Sequence, residues 1–565
     1  MRGRRLKFLV PFAVVGLVLA WAYWNRPSRT DLAVFAPADC LAFLEANEPA
    51  RLFAAMEESF AWRTLAGPVD AGSNLVINRW WFGLARWFGI GTPDALLLAR
   101  SQAGIVFTGA GVDEKGASLT IRPLATLVIE THSSQRRMRP VLESYLEKFA
   151  RRIYENPQFS RKQIDGEEID GWYSADGSRH IIFAFVGSAA IIGNDERSVT
   201  NCLEAKRGGR PSLVSDKIFA DNRTRFRASD VSLFGFVSKA GVRAILQAYI
   251  LYKSGSSDAA SASRLLSDTA GNLVDGLACN SQFIDGMAED RCFLTLAPGL
   301  GDKLRSTMVA ERPVQLDPLP FVPPNANSVS IYNLRDVEGF WNDLNAIVSS
   351  HADVLGALAA RPLLRLLLKP YGIDDADRFM QAIGPRMTTI RLDENGPSVL
   401  VTEPLDRDSL RKLTDQRLGS KPRTETIGAF EMSLSTSDDW GVAFADDSFL
   451  MGPAESLRLC LQAKAQSQSI TSNENFRRSE HLLDVSLPVI AATFTSNRQQ
   501  AISFVELFSQ HERPTFSNNA EGVEQALRSL PYAISVTMLK NDGFEWTSRS
   551  AFGLPGSLTN IMAPE

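Results

Sequence analysis

The sequence predicts an α+β protein. It should be a tandem duplication of a mixed, largely antiparallel sheet with packed helices, behind one N-terminal transmembrane helix. Three observations carry this. Ile191–Lys206 reads I-I-G-N-D-E-R-S-V-T-N-C-L-E-A-K, and Leu450–Lys464 reads L-M-G-P-A-E-S-L-R-L-C-L-Q-A-K. Around both, strand-like and helix-like segments recur in one order, and that order of strands and helices implies α+β. Finally, Arg2, Arg4, Arg5 and Lys7 precede an uncharged run from Phe8 to Trp24.

That run sits at the short end of the roughly 17–25 residues that span a bilayer. Trp21, Tyr23 and Trp24 close it as an interfacial belt would, and the basic residues favour a cytoplasmic N-terminus. The predicted organisation is a basic tail (1–7), a membrane helix (8–24), a first repeat (25–300), a Pro-rich linker (301–320) and a second repeat (321–565). Ala20-Trp21-Ala22 also resembles a signal-peptidase site, so cleavage is the competing reading. Cys40 lies too far beyond the apolar run for a lipoprotein.

Each repeat opens on a Pro-containing segment with apolar alternation, read as a strand: Phe35–Leu44 and Phe321–Tyr332. Helices should follow at Ala50–Glu58 and Val337–Val348. Next come apolar helical stretches, Trp80–Phe88 and Pro362–Tyr371, each ended by Gly-Ile, since glycine stops helices. Strands are expected at Gly104–Phe107 and Ala125–Thr131, beside Met387–Leu392 and Ser398–Thr402. Charged helices follow at Arg136–Ile153 and Arg407–Leu418. Phe183–Gly193 and Val442–Gly452 each read as two short strands around a polar turn, followed by a C-L-x-A-K helix. Each copy ends in a hairpin, about Asp285-Gly286 and Asp542-Gly543, because Asp-Gly between strands favours a tight turn. Ser254–Ser263 is small and polar and reads as a loop.

A chain of 565 residues fills two or more domains, and 45% hydrophobic with 22% charged residues is a globular balance. A formal charge of −4 leaves no electrostatic footprint for nucleic acid. Five cysteines are too few for a disulfide framework. One pair stands apart. A two-residue turn at Asp285-Gly286 places Cys279 opposite Cys292 at a non-hydrogen-bonded position, about 4.5 Å apart at Cα, close enough for a disulfide in an oxidising compartment. A bulge or longer loop would break that register. Cys202 and Cys460 occupy matched helix positions and read as core.

The P-A-D-C-L-A-F-L opening, the Gly-Ile stop and the I-G-N-D-E-R-S…C-L-E-A-K block ending in S-L-V-S…F resemble the bacterial family called domain of unknown function 3352. The resemblance spans nearly the whole body, and the second copy departs from it at Pro324-Asn325-Ala326-Asn327. It implies export behind an N-terminal apolar segment, and supplies no activity and no catalytic residues.

No motif for chemistry emerges. His132, His180, His351, His481 and His511 form no metal-binding spacing, and C-x-x-C, Walker A and G-x-S-x-G are absent. We therefore expect no catalytic, cofactor or metal residues. Glu167, Glu168 and Asp170, with Asp438-Asp439 and Asp446-Asp447, read as polar turns before they read as acid/base or Ca²⁺ groups. Trp80, Trp81, Leu84, Trp87 and Phe88 form an apolar helix face, read as core or as an interface helix on a membrane or partner. The sum is a membrane-anchored, extracytoplasmic (periplasmic) body. It touches the bilayer through its first helix and binds or scaffolds an envelope protein. Binding an apolar or lipid ligand is the alternative, and a hydrolase the third reading.

Overall fold

The structure is a computed structural model. It describes residues 29–66, 98, 101–115, 118–164, 166–226, 232–254, 267–269, 271–310, 313–314, 319–351, 368, 371, 373–394, 396–484, 488–509 and 520–556. Phe8–Trp24 lies outside them, as do Trp80, Trp81, Leu84, Trp87 and Phe88, nearly all of Pro362–Tyr371, and residues 255–263. Among the described residues no helix is long and apolar enough to cross a membrane.

The first half runs β1 (Ala42–Ala46), α1 (Pro49–Glu57), α2 (Phe60–Ala66), β2 (Gln102–Lys115), β3 (Ser118–Glu130), α3 (Gln135–Ile153) and β4 (Gln158–Ile164). It continues through β5 (Glu167–Tyr173), β6 (His180–Val186), β7 (Ala189–Gly193), α4 (Glu196–Arg207), α5 (Lys217–Phe226), β8 (Ser232–Ser238), α6 (Lys239–Ser254), β9 (Val274–Ile284) and β10 (Met287–Leu296). After α7 (Leu300–Met308) the second half runs β11 (Ser328–Asn333), α8 (Val337–His351), α9 (Ala376–Ala382), β12 (Ile383–Arg391), β13 (Ser398–Pro404) and α10 (Arg407–Leu418). It ends with β14 (Arg423–Ile427), β15 (Phe430–Leu434), β16 (Gly441–Ala445), β17 (Ser448–Gly452), α11 (Ala454–Ala465), α12 (Glu474–Ser479), β18 (Ala491–Thr495), α13 (Arg498–Ser509), α14 (Ala520–Ser529), β19 (Ala533–Leu539) and β20 (Gly543–Ser550).

The fold is mixed α and β, with a large antiparallel sheet and packed helices. In the first half the strands lie side by side as β4-β5-β6-β7-β3-β2-β1-β8-β9-β10. In the second they lie as β14-β15-β16-β17-β13-β12-β11-β18-β19-β20, which is the same order. All these pairings are antiparallel. β10 pairs with β20, so the two halves share one continuous sheet. Arg291 faces Thr547 at the centre of that junction. Glu289 faces Arg549 on one side, and Phe293 faces Glu545 on the other, as an approximate twofold through the Arg291–Thr547 pair requires.

Local chemistry explains the elements. Asp195 caps α4 by accepting the Ser198 N–H at 3.0 Å, and Gly208 ends it with a φ of 79° that a side chain would resist. Asp285 and Gly286 have φ of 53° and 77°, the geometry of the tight hairpin turn that closes Ile284 onto Met287. That register sets Cys279 against Cys292 with Cα atoms 4.1 Å apart, joined as a disulfide. The closed loop has a sequence separation of 13. On a chain-entropy argument the link is worth about 3 kcal/mol. Urea unfolding of Cys292→Ser should show that loss, and an unchanged midpoint and slope would refute it.

Matching helices cover matching strands. Val199, Cys202 and Leu203 of α4 share a core with Phe43, Val106, Ile182 and Ile191; Leu457, Cys460 and Leu461 of α11 share one with Val329, Ile390 and Leu450. Burial pushes the Cys202 thiol up to about 12, as suits an inert core residue. The halves also clasp each other. Ala61 and Leu65 of α2 pack with Ala501 of α13, with Ala526 and Leu527 of α14, and with Leu530 and Phe552. In return Val337, Trp341 and Ile347 of α8 pack with Val274 and Leu296 of the first half and with Leu300, Leu304 and Met308 of α7.

Several expectations need correction. Both halves open on 3-10 turns, Leu32–Val34 and Leu319–Phe321, and their first strands begin only at Ala42 and Ser328. In the first half Pro37 turns aside to bridge Ser212, which delays the strand. Glu167, Glu168 and Asp170 lie in strand β5, where arginines neutralise them. The segment 301–320 is not all linker: Leu300, Leu304 and Met308 fall on one helical face, and α7 buries it.

Candidate functional site

A cavity of about 460 Å³ opens where the described chain begins, lined by Arg29, Thr30, Asp31, Glu45, Asn47, Gln102 and Arg223. Every described lining residue is polar. β1 supplies Glu45 and leads into Asn47, β2 begins at Gln102, and α5 carries Arg223.

The arrangement is built rather than incidental. Glu45 is 2% exposed and accepts from Arg223 Nη2 through both carboxylate oxygens, at 3.0 and 3.1 Å. Arg223 Nη1 donates to Asp31 Oδ1 at 2.6 Å, and the Ala33 N–H reaches the same oxygen at 3.0 Å. Gln102 clamps the first described residues: its Oε1 accepts the Thr30 N–H at 2.9 Å, and its Nε2 donates to Thr30 O at 3.0 Å and Asn47 Oδ1 at 3.1 Å. Burial pushes the Glu45 carboxyl above the ordinary carboxylate range, against the pull of Arg223.

The second half has no such cluster among the described residues. The Leu41 N–H donates to Phe107 O in the first half, and the Asn327 N–H to Arg391 O in the second. Counting on from those equivalent bonds aligns Glu45 with Ile331, which is 1% exposed. The fold therefore accepts an apolar residue at that place.

The carboxylates singled out from sequence are largely tied into the scaffold. Asp170 is fully buried and receives Arg139 Nη2 at 3.0 Å and Arg161 Nε at 2.6 Å. Arg207 pairs with Glu167 at 2.7 Å, Arg417 with Asp438 at 3.0 Å, and Lys464 with Asp446 at 3.3 Å. Asp446 and Asp447 form the turn between β16 and β17, as expected. Among the described residues no three His, Cys, Asp or Glu side chains converge as a metal ion needs.

Glu57, at the end of α1, is the exception. It is 9% exposed, and neither carboxylate oxygen has a hydrogen-bond partner. Burial, with Glu58 adding repulsion, pushes its carboxyl up to about 7. A carboxyl raised above its unfolded value of about 4.3 contributes stability that is full below that pH and is lost as pH rises through 7. Glu57→Leu should therefore flatten the stability profile and stabilise the protein at pH 8 by about 1–3 kcal/mol. Equal melting temperatures for the variant and the wild type at pH 8 would contradict this.

Sequence reading missed Glu45, Asn47, Gln102 and Arg223. The one available signal was Glu45 itself, a carboxylate in the apolar run F-L-E-A where the matched strand reads V-S-I-Y.

No family model matches the chain, and no curated protein matches it. A solved structure it is similar to, titled "Structure of crystal form III of TP0453", shares 9% identity, with a TM-score of 0.24, over 48% of this chain and 82% of that one. At that score the likeness carries no argument.

Proposed function

We propose that this is a non-enzymatic binding or scaffolding body of the bacterial cell envelope, a tandem duplication held outside the cytoplasmic membrane by an uncleaved N-terminal helix. The proposal includes membership of the family called domain of unknown function 3352, on the motifs given above. The observation that carries it is the use of the described charged clusters. Asp170 and Glu167 tie β5 to β4 and α4 through Arg161 and Arg207, and Asp438 and Asp446 tie the turns after β15 and β16 to α10 and α11 through Arg417 and Lys464. A hydrolase would leave such carboxylates facing a substrate cleft. The basic residues before Phe8 and the aromatic belt at Trp21–Trp24 support the anchored topology.

Chemical cross-linking in native membranes, followed by isolation of the full chain, tests this. The same envelope proteins should be recovered in repeated preparations. Recovery of none, together with turnover of a defined substrate by the purified protein, would contradict it.

A further inference from the structure

We infer that the free edge of the sheet at β4 takes up an extended, acidic segment of a partner protein as one more antiparallel strand. This rests on the binding-body reading above and names its docking surface. The two ends of the continuous sheet are β4 and β14: among the described residues β4 pairs with β5 alone, and β14 with β15 alone. Ile164 faces Glu167 with two residues between them, and the register runs unshifted to Gln158–Tyr173. The pair that closes such a hairpin is hydrogen-bonded, and pairs then alternate in type along the ladder. Ile164, Lys162, Ser160 and Gln158 therefore turn their backbone groups to β5. Phe159, Arg161 and Gln163 turn theirs outward, and each offers an N–H and a C=O along the open edge.

Proteins commonly blunt such edges, and the second half does so. Ile427 faces Phe430 across the matching turn. Counting back five residues from Ile164 and from Ile427 reaches Phe159 and Pro422. Proline has no N–H, so the second edge lacks a donor that the first edge keeps. β14 is also only 5 residues long. β4 has 7, of which Gln158, Phe159, Arg161, Lys162 and Gln163 are exposed.

The side chains set the character of the occupant. Phe159 is 53% exposed, with its ring 5.4 Å from that of Trp172 on β5. A β-branched or aromatic residue opposite Phe159 covers the ring, and such cross-strand pairs stabilise neighbouring strands. β4 carries Arg161 and Lys162 and no acid. Asp170 of β5 holds Arg161 Nε at 2.6 Å, yet nearly half of the arginine side chain stays exposed. An acidic residue opposite these two cations is favoured, and a basic one is repelled. Pairing all of β4 with a second copy of itself sets Arg161 against Arg161, which the same rule disfavours.

The test titrates a labelled, end-blocked peptide, Thr-Glu-Glu-Thr-Val-Thr-Glu, against the full chain in detergent and reads fluorescence anisotropy. Run antiparallel, it sets glutamates opposite Lys162 and Arg161 and valine opposite Phe159. Saturable binding is expected, with the amides of Phe159, Arg161 and Gln163 newly protected from hydrogen exchange. The same peptide N-methylated at its third residue loses the bond to the Arg161 carbonyl and should bind about tenfold more weakly. A peptide with lysine for every glutamate should lose at least as much. Phe159→Pro gives β4 the residue of the second half and should also cost about tenfold, with the melting temperature unchanged because β5 does not use that N–H. The peptide comparison on the wild type stands even if that variant fails to fold. No saturable binding would overturn the inference. Equal binding of the N-methylated peptide would mean plain charge attraction, as an anionic membrane also exerts, and would overturn strand addition. Dimerisation of the full chain that Phe159→Pro abolishes would assign the edge to a second copy, and would overturn the partner assignment. Cross-linking in native membranes does not use the peptide, so this inference and the binding-body reading fail separately.

Discussion

Expressed alone, neither the segment before Glu311 nor the one from Glu311 onward will form a stable monomer. Separation bares β10 and β20, which share register from Ala288–Ser550 to Thr295–Gly543. It also opens both clasps. Leu65 loses Leu527, Leu530 and Phe552, and Trp341 loses Val274 and Leu296. Each large apolar side chain returned to water costs about 1.5–3 kcal/mol, so the total is on the order of 10 kcal/mol. That equals the whole stability of a typical domain, about 5–15 kcal/mol. Circular dichroism melts of each segment should show no cooperative transition, and co-expression should restore one. A half that melts cooperatively near the full-chain temperature would show the clasps to be dispensable.

Arg223→Leu should destabilise the protein by about 3–5 kcal/mol, the range for stranding a buried charge. The stranded group is Glu45, held at 2% exposure between β2 and β8. The double variant Arg223→Leu with Glu45→Ile should recover most of that loss, because Ile331 fills the equivalent place in the second half. The pH dependence has a definite sign. Burial already raises the Glu45 carboxyl, and removing Arg223 raises it further. The penalty should therefore be small near pH 4, where the carboxyl is protonated, and grow as pH rises. Urea unfolding of the two variants at low and neutral pH measures this. Additive effects of the two substitutions would mean that the residues do not act as a pair.

Much of the architecture was legible because the two halves lay their strands in the same order. The C-L-x-A-K helices, the Asp285-Gly286 hairpin and the charged helix Arg407–Leu418 follow from local signals: caps, a two-residue turn and apolar periodicity. The β4–β5 and β14–β15 hairpins were not legible. Lys162, Glu167, Glu168, Arg423 and Glu425 give them a polar surface pattern, and ion pairs rather than apolar alternation hold them. The β10–β20 junction joins residues far apart in sequence, and no local pattern announces it. The cavity was invisible for the same reason: Asp31, Glu45, Gln102 and Arg223 belong to four separate segments that only the sheet brings together.

Export and retention are tested together by one non-reducing peptide map of the full chain recovered from native membranes. The predicted result is a peptide pair linked through Cys279 and Cys292, alongside a mature N-terminus that still includes Phe8–Trp24. Free thiols at both cysteines, or a chain that begins at Tyr23, would contradict it.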